Sequence, residues 1–598
     1  MITDDETYPR PQLVRHSWTS LDGVWDFAIG TSSHQPPTEV RFDQQITVPF
    51  PPESRASGLG IEGFLPVAWY RCYLDSKTLS QAGYSPSNSR LVLHFNAADY
   101  ESTVWLNGQH LGDHIGGHTP FSFDVTDILS GADQPVELMV RVLDDPVDTE
   151  KPRGKQDWQE TPHVIWYGRT TGIWQPVWLE ATPCYFVQHI NWNPQIPDAA
   201  VEVSVEFNEN LPERSHLHIH LEADDRMFIA EHQVEVSGNS WNGYLSLPCL
   251  RNGQALDDFT WTPETPRLVH ASLELTTDMS KDCVNSYFGL RSVGVSEESF
   301  LLNGRPYFIR GVMDQGYWPD HHLASPASTA LRQEVELIKK CGFNTVRIHQ
   351  KIEDPRFLYW ADRLGLMVWS EAPSAYTFSS KAIRRLMHEW SEVIHRDASH
   401  PSIVAWVPLN ESWGVQHISS DHRQRAYAKA LSSLTRALDP SRPVISNDGW
   451  EHIDSDILTI HDYSSDANLL AQRYGTASGA RSQLVGFGPE RRLVVLPEQC
   501  TVHRPVVLSE FGGISFNPKP TVDSWGYSNV TTTEQFEMQL RALILSVTEP
   551  SGLAGFCFTQ LTDTRQETNG LLYEDRSPKI PFDHIHAAVT AKKENSAP

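Results

Sequence analysis

The sequence predicts a multidomain β and α/β protein: an N-terminal β jelly roll, an immunoglobulin-like β-sandwich and a C-terminal (β/α)8 TIM barrel. Three observations lead there. Short turn-bounded β runs fill the first third, strict two-residue alternation marks the next stretch, and strands alternate with amphipathic helices beyond residue 294. The parts are drawn at residues 1–183, 184–293 and 294–598. For 598 residues, about three or four domains is the ordinary expectation.

In the first part, runs at 25–29, 69–74 and 91–95 sit between turn-rich segments. Asn107-Gly108 stands between two apolar runs, a strong hairpin signal. A strand ending in Trp178-Leu179-Glu180 closes the segment, and many short strands without helical period imply a jelly roll. In the second part, 201–207 and 216–221 alternate perfectly, which marks half-buried strands of a small sandwich. His216, His218 and His220 share one face there; with no carboxylate or cysteine adjacent, they are expected to face solvent rather than hold a metal.

The third part supplies eight strand candidates: 307–312, 344–349, 366–371, 403–409, 444–448, 457–463, 506–510 and 554–560. Leu331, Val335 and Ile338 recur at helical spacing after the first, with Gly342 as the stop. A further helix is expected over 354–364. Eight strands in such a length is the size of one (β/α)8 barrel.

Composition narrows the partners. A formal charge of −27 argues against nucleic acid and anionic membranes. Nineteen Trp suit large β-rich cores, with some left over as stacking platforms for sugars. The seven cysteines are odd in number and scattered, without a zinc-like spacing, so reduced and buried thiols are expected rather than bridges. Met1-Ile2-Thr3-Asp4 opens without a basic or apolar leader, and no stretch reaches membrane-span length. A cytoplasmic location is the expectation, with secretion after loss of a leader left open.

The chemistry is expected at two strand ends. The fourth candidate runs into Asn410-Glu411 and the seventh into Glu510. Two carboxylates aimed at one centre from nearly opposite strands suit acetal hydrolysis. One, protonated, donates to the leaving oxygen; the other, ionised, attacks the anomeric carbon. Asn410 is a candidate for the adjacent sugar hydroxyl, Arg347 for holding the nucleophile ionised, and Tyr463 for orienting it. Asp448, Trp450, His461, Asp462 and Gln560 are candidates for sugar hydroxyls or stacking. Glu371 is one for binding or support, and Trp413 for the wall beside Glu411. Each of these alone has a structural reading as barrel-rim polarity. The pair does not.

With those motifs in place the chain resembles glycoside hydrolase family 2 over nearly its whole length. The resemblance is carried by Trp69-Tyr70-Arg71, Trp105-Leu106-Asn107-Gly108 and Thr171-Gly172-Ile173-Trp174 in the jelly roll. Trp261-Thr262-Pro263-Glu264 and Phe288-Gly289-Leu290-Arg291 continue it. In the barrel it rests on Asn303-Gly304-Arg305-Pro306, Asn410-Glu411 and Ser509-Glu510-Phe511-Gly512. It implies retention, with Glu411 as acid/base and Glu510 as nucleophile, no cofactor, a small carbohydrate or glycoconjugate substrate, and dimers or tetramers built on β-domains.

Departures bear on the sugar. Family galactosidases and glucuronidases usually carry histidine where this chain has Gln350, beside His349. The loop after the first strand is Met313-Asp314-Gln315-Gly316-Tyr317-Trp318-Pro319 rather than histidine-rich, which makes Asp314 a candidate contact. The glucuronidase Asn-x-Lys element is replaced by Glu567-Thr568-Asn569, although Asn517-Pro518-Lys519 is a superficial match. The expectation is an exo-β-glycosidase for neutral sugars, β-galactosides first. A β-galactofuranosidase or arabinofuranosidase comes second, then β-mannosidase or β-glucuronidase; the rival class is a carbohydrate-binding protein without catalysis.

Overall fold

The computed structural model describes residues 8–86, 89–129, 135–224, 227–252, 256–499, 502–518, 524–548 and 550–592. Two large antiparallel sheets and a two-stranded one, Ala98–Asp99 with Gly172–Ile173, make the first part. One large sheet orders Trp18–Ser20, Val177–Thr182, Arg90–Phe95 and Phe121–Asp124. The other orders Gln44–Val48, Gly23–Ile29, Val67–Leu74, Val136–Leu143, Glu101–Leu106 and Gln109–Ile115. Their inward residues, among them Leu93 and Phe95 against Tyr70, Val104 and Val140, share one buried core. Asn107 and Gly108 turn the hairpin with φ of 51° and 77°, the left-handed pair that a two-residue turn demands.

The second part has its own core but fewer and longer strands than short alternating runs imply. Ala200–Ala223 pairs Val187–Gln195 along its first half and Val269–Thr276 along its second. Its register with Phe228–Ser246 breaks between Glu206 and Ser215. A strand bent at such an irregularity serves two stretches of sheet without a connecting loop. His218 and His220 lie on the outer face, against Glu231 and Glu222 at 2.7 and 2.8 Å.

The barrel sheet is parallel. Its order is Ile403–Val407, Met367–Glu371, Thr345–Ile348, Ile309–Asp314, Gly555–Thr559, Val506–Gly512 and Leu458–Asp462. Helix Ser328–Lys340 buries Leu331, Val335 and Ile338 against it. Pro355–Leu364 starts under an Asp354 cap and stops at Gly365, whose φ of 76° and 2.4 Å clearance to the Pro263 carbonyl leave no room for a Cβ.

One expectation is corrected. Residues 444–448 form no continuous strand; they touch the fourth strand at two isolated bridges, Trp406 with Val444 and Asn410 with Asp448. The Ser446 N–H goes to Ser455 Oγ at 2.8 Å instead of a neighbouring carbonyl, and Asn447 Nδ2 reaches Ser412 Oγ at 2.9 Å. Short polar side chains of this kind divert backbone from the ladder. A second correction concerns thiols: Cys341 and Cys557 are buried, Cys72 is half-buried, and Cys184 and Cys283 are exposed, all five unbridged. Cys500 and the Cys249 side chain lie outside the described residues.

Buried polar contacts tie the parts together. Arg15 pairs Glu180 of the jelly roll at 3.1 Å and Asp282 of the sandwich at 2.8 Å. Trp261 Nε1 donates to the Asp362 carbonyl at 2.7 Å, and Tyr100 OH to Glu389 at 2.8 Å. The connection between Val136–Leu143 and Gly172–Ile173 leaves the jelly roll and lies against the barrel: Arg153 N and Gly154 N both donate to the Ser374 carbonyl, at 3.2 and 3.1 Å.

Candidate active site

Strand Ile403–Val407 is fully buried and uniformly apolar. Beyond it the chain turns sharply, with Glu411 and Ser412 at φ of 51° and 60°. Such angles cost non-glycine residues energy and persist where surrounding contacts impose them. Here Glu411 N donates to the Asp448 carbonyl at 3.0 Å and Ser412 N to Asn447 Oδ1 at 2.9 Å. The polar 444–448 segment therefore fails as a strand but fixes the turn that presents Glu411.

Arg347, from the second strand, organises the floor. Its Nε donates to Glu371 Oε2 at 2.6 Å, and its Nη2 to Asn410 Oδ1 at 2.8 Å. Nη1 donates to Glu510 Oε1 at 2.7 Å and lies 2.9 Å from Asp448 Oδ2. Only a planar guanidinium can meet this many acceptors at once. Glu510 also accepts from Tyr463 OH, whose ring stacks on Tyr527 with centroids 3.3 Å apart. Burial alone would raise the Glu510 pKa, but the charges of His461 and Arg347 outweigh it and hold the group at about 2.

His461 stands between the two expected carboxylates. Its Nδ1 is 2.7 Å from Glu411 Oε1, while its Nε2 is 2.8 Å from Asp448 Oδ2 and 3.6 Å from Glu510 Oε1. The three groups Glu411, His461 and Glu510 each offer an atom within 4.8 Å of the others. That spacing would admit a metal ion, yet an imidazole with carboxylates at both nitrogens presents N–H groups rather than lone pairs. The trio reads as a proton-sharing cluster.

The remaining expected residues fall into two groups. Glu371 is wholly occluded, its oxygens facing Arg347, His349 and the Gln350 N–H. Burial pushes it up to about 7, and its place is beneath the site, not against a sugar. Asp448 is likewise enclosed by Arg347 and His461. Asp314 caps Gly316 N at 2.9 Å, and Gln350 Oε1 accepts from Ser374 N at 3.2 Å, so both shape loops. His349 lies beside Arg347, kept neutral by burial and by the nearby charges of Lys155 and Arg347. Trp413 and Trp450 are partly exposed at the rim, Trp450 edge-on to His461. Gln560 receives Gln315 Nε2 at 2.7 Å and donates to Asn569 Oδ1 at 2.6 Å. Lys519 lies outside the described residues.

Several residues at the rim carry no strand-end signal. Lys155 and Trp166 arrive from the jelly-roll connection: Lys155 Nζ sits 3.6 Å from Glu567 Oε2, and Trp166 lies 5.8 Å from Trp413. Tyr376 and Trp158 complete that aromatic wall. Glu567 also accepts from Gln315 Nε2 at 2.7 Å. The available clue was the density of aromatic and basic residues in a long strandless stretch, 144–171.

A cavity of about 420 Å³ opens elsewhere, beside Arg10, His94, Trp178, His189 and His395. Its charged residues pair with one another or with neighbours, Arg10 with Glu180 and His395 with Glu206, whereas Glu411, His461 and Glu510 converge at the barrel mouth.

Two carboxylates facing each other across the C-terminal end of a (β/α)8 barrel define a glycoside hydrolase. Residues 293–524 match the model of the TIM barrel domain of glycosyl hydrolases family 2. The match lies in the barrel of this chain, and retention of configuration is general in that family. The chain is 25% identical over 495 residues to a β-glucuronidase of Canis lupus familiaris, covering 74% of this chain and 70% of the relative. The human β-glucuronidase is 24% identical over 495 residues, with the same coverage of 74% and 70%. Among solved structures, a β-glucuronidase from Bifidobacterium dentium aligns with a TM-score of 0.76 at 19% identity, over 98% of both chains. A family 2 β-galacturonidase from Eisenbergiella tayi aligns with 0.73 at 19% identity, over 97% of this chain and 98% of that one.

Proposed function

We propose that this chain is an exo-acting retaining β-glycosidase that releases a neutral terminal sugar, β-galactosides being the first substrates to try. Glu510, ionised, attacks the anomeric carbon while Glu411 protonates the departing oxygen. Glu411 then takes a proton from the water that hydrolyses the glycosyl ester. The observation that carries this reading is the carboxylate spacing: oxygens of Glu411 and Glu510 lie within 4.8 Å, on the close side of the roughly 5–5.5 Å at which carboxylates work by covalent intermediate.

The neutral-sugar half rests on Glu567. It stands where a basic element would read a sugar carboxylate, is buried, and is near enough to Glu510 to feel its charge. An acidic sugar would add a third negative group. One observation favours the second reading, a β-uronide: Lys155 brings a cation to the same place, and the relatives above are named for uronides. A panel of nitrophenyl pyranosides and furanosides decides. The galactoside or a furanoside is expected to lead; a glucuronide or galacturonide leading by tenfold or more would overturn the neutral-sugar assignment.

Glu411→Ala separates its proposed role from simple binding. With a nitrophenyl leaving group, which needs little protonation, the first step is expected to survive, while an alkyl glycoside loses about 10²–10⁴-fold in kcat/KM. Equal loss on both substrates would remove Glu411 from the acid role.

A further inference from the structure

We propose that His461 is a permanently charged positioning residue that fixes one oxygen of Glu411 and lowers the proton affinity of Glu510. The inference rests on the roles just proposed for Glu411 and Glu510.

A neutral imidazole has one donor and one acceptor nitrogen. At His461 both nitrogens meet carboxylate oxygens, Glu411 at 2.7 Å and Asp448 at 2.8 Å. Asp448 is held ionised by Arg347, 2.9 Å away, so Nε2 must carry a proton. Nδ1 must carry one as well if Glu411 is to act as a base in the second step without a lone pair facing its own.

The surroundings fix the ring in that place. Its side chain has no exposed surface. Gly449, at φ 95°, lies against it so closely that a Cβ would stand 2.7 Å from the ring. Trp450 closes the other side, with centroids 5.4 Å apart. A ring that cannot rotate cannot trade partners.

The charged groups facing it make the same point. The carboxylates are Glu411, Asp448 and Glu510, with Glu490 further off; the opposing groups are Arg347 and the neutral rings of His349 and His452. Burial favours the uncharged ring, but Glu510, Asp448 and Glu411 outweigh it and push the pKa up to about 10.

The consequence for the reaction is specific. Glu411 accepts from Nδ1–H at Oε1, so its other oxygen carries the transferable proton. When that proton passes to the leaving oxygen, the C–O bond breaks and Glu510 forms the ester. His461 keeps both protons, and its charge meets the carboxylate left on Glu411. Glu510 loses its charge in the same step, so the imidazolium then acts on Glu411 and Asp448 alone.

Two measurements test this. In the unmodified protein labelled with ¹⁵N-histidine, at about pH 8.5 where ordinary histidines are neutral, one imidazolium signal is expected to persist and to vanish in His461→Gln. Absence of any such signal overturns the proposal, whatever the enzyme's substrate. In the pH profile of kcat/KM, His461→Gln keeps a hydrogen-bonding side chain but removes the charge. The acid limb, set by Glu510, is expected to move upward, by about 1–3 units. A lower profile with an unmoved acid limb would show a merely structural residue. Inactivity of the unmodified protein across the glycoside panel would strike the catalytic roles and leave the first measurement standing.

Discussion

Replacing Glu510 with alanine is expected to lower kcat by roughly four to six orders of magnitude, because deletion of a nucleophile removes the covalent path altogether. The structure adds a second reason. Glu510 is the shared partner of Arg347, Tyr463 and His461, so its loss leaves two cations facing an empty volume. That volume suits a small anion. With an activated glycoside, azide is expected to restore turnover by attacking from the vacated side, giving the glycosyl azide of inverted configuration. Near-normal hydrolysis by Glu510→Ala, without azide, would defeat the assignment.

Arg347→Met is expected to damage both folding and chemistry. The guanidinium is about 1% exposed and touches Glu371, Glu510, Asp448 and Asn410. Taking one partner from a buried ion cluster costs about 3–5 kcal/mol, since the others stay buried and uncompensated. Urea unfolding followed by tryptophan emission is the measurement for stability. For the chemistry, the sign follows from Glu510: its pKa lies near 2 against an ordinary 4.5, partly through this arginine. Removing the cation raises that pKa, so the acid limb of the pH profile moves upward. Arg347→Lys is not expected to rescue, because an ammonium cannot serve these acceptors in one plane. Unchanged urea midpoint and acid limb in Arg347→Met would show that the other cations suffice.

The parts of this protein that sequence exposed are those where local pattern and burial coincide. Period-two runs and helical spacing at Leu331, Val335 and Ile338 mark elements because one face of each must leave water. Asn410-Glu411 and Glu510 were legible because polar groups at the ends of apolar strands contradict that pattern. The 444–448 segment shows where the same logic fails. Val444 and Ile445 give it the look of a strand, yet the Ser446 N–H goes to Ser455 Oγ and Asn447 Oδ1 takes the Ser412 N–H, so no ladder forms there.

What the sequence by itself determined, then, is the order of elements and the two carboxylates at their ends. Tertiary structure alone decided what surrounds them. Lys155 and Trp166 come from a jelly-roll connection and meet Glu567 and Trp413 across hundreds of residues. His461 looked like one more polar strand end and proves to be clamped between Glu411 and Asp448. The physical reason is common to both. Periodicity records whether a side chain faces a core, whereas charge state and proton position depend on which distant groups lie within a few ångströms, and only the folded chain brings them there.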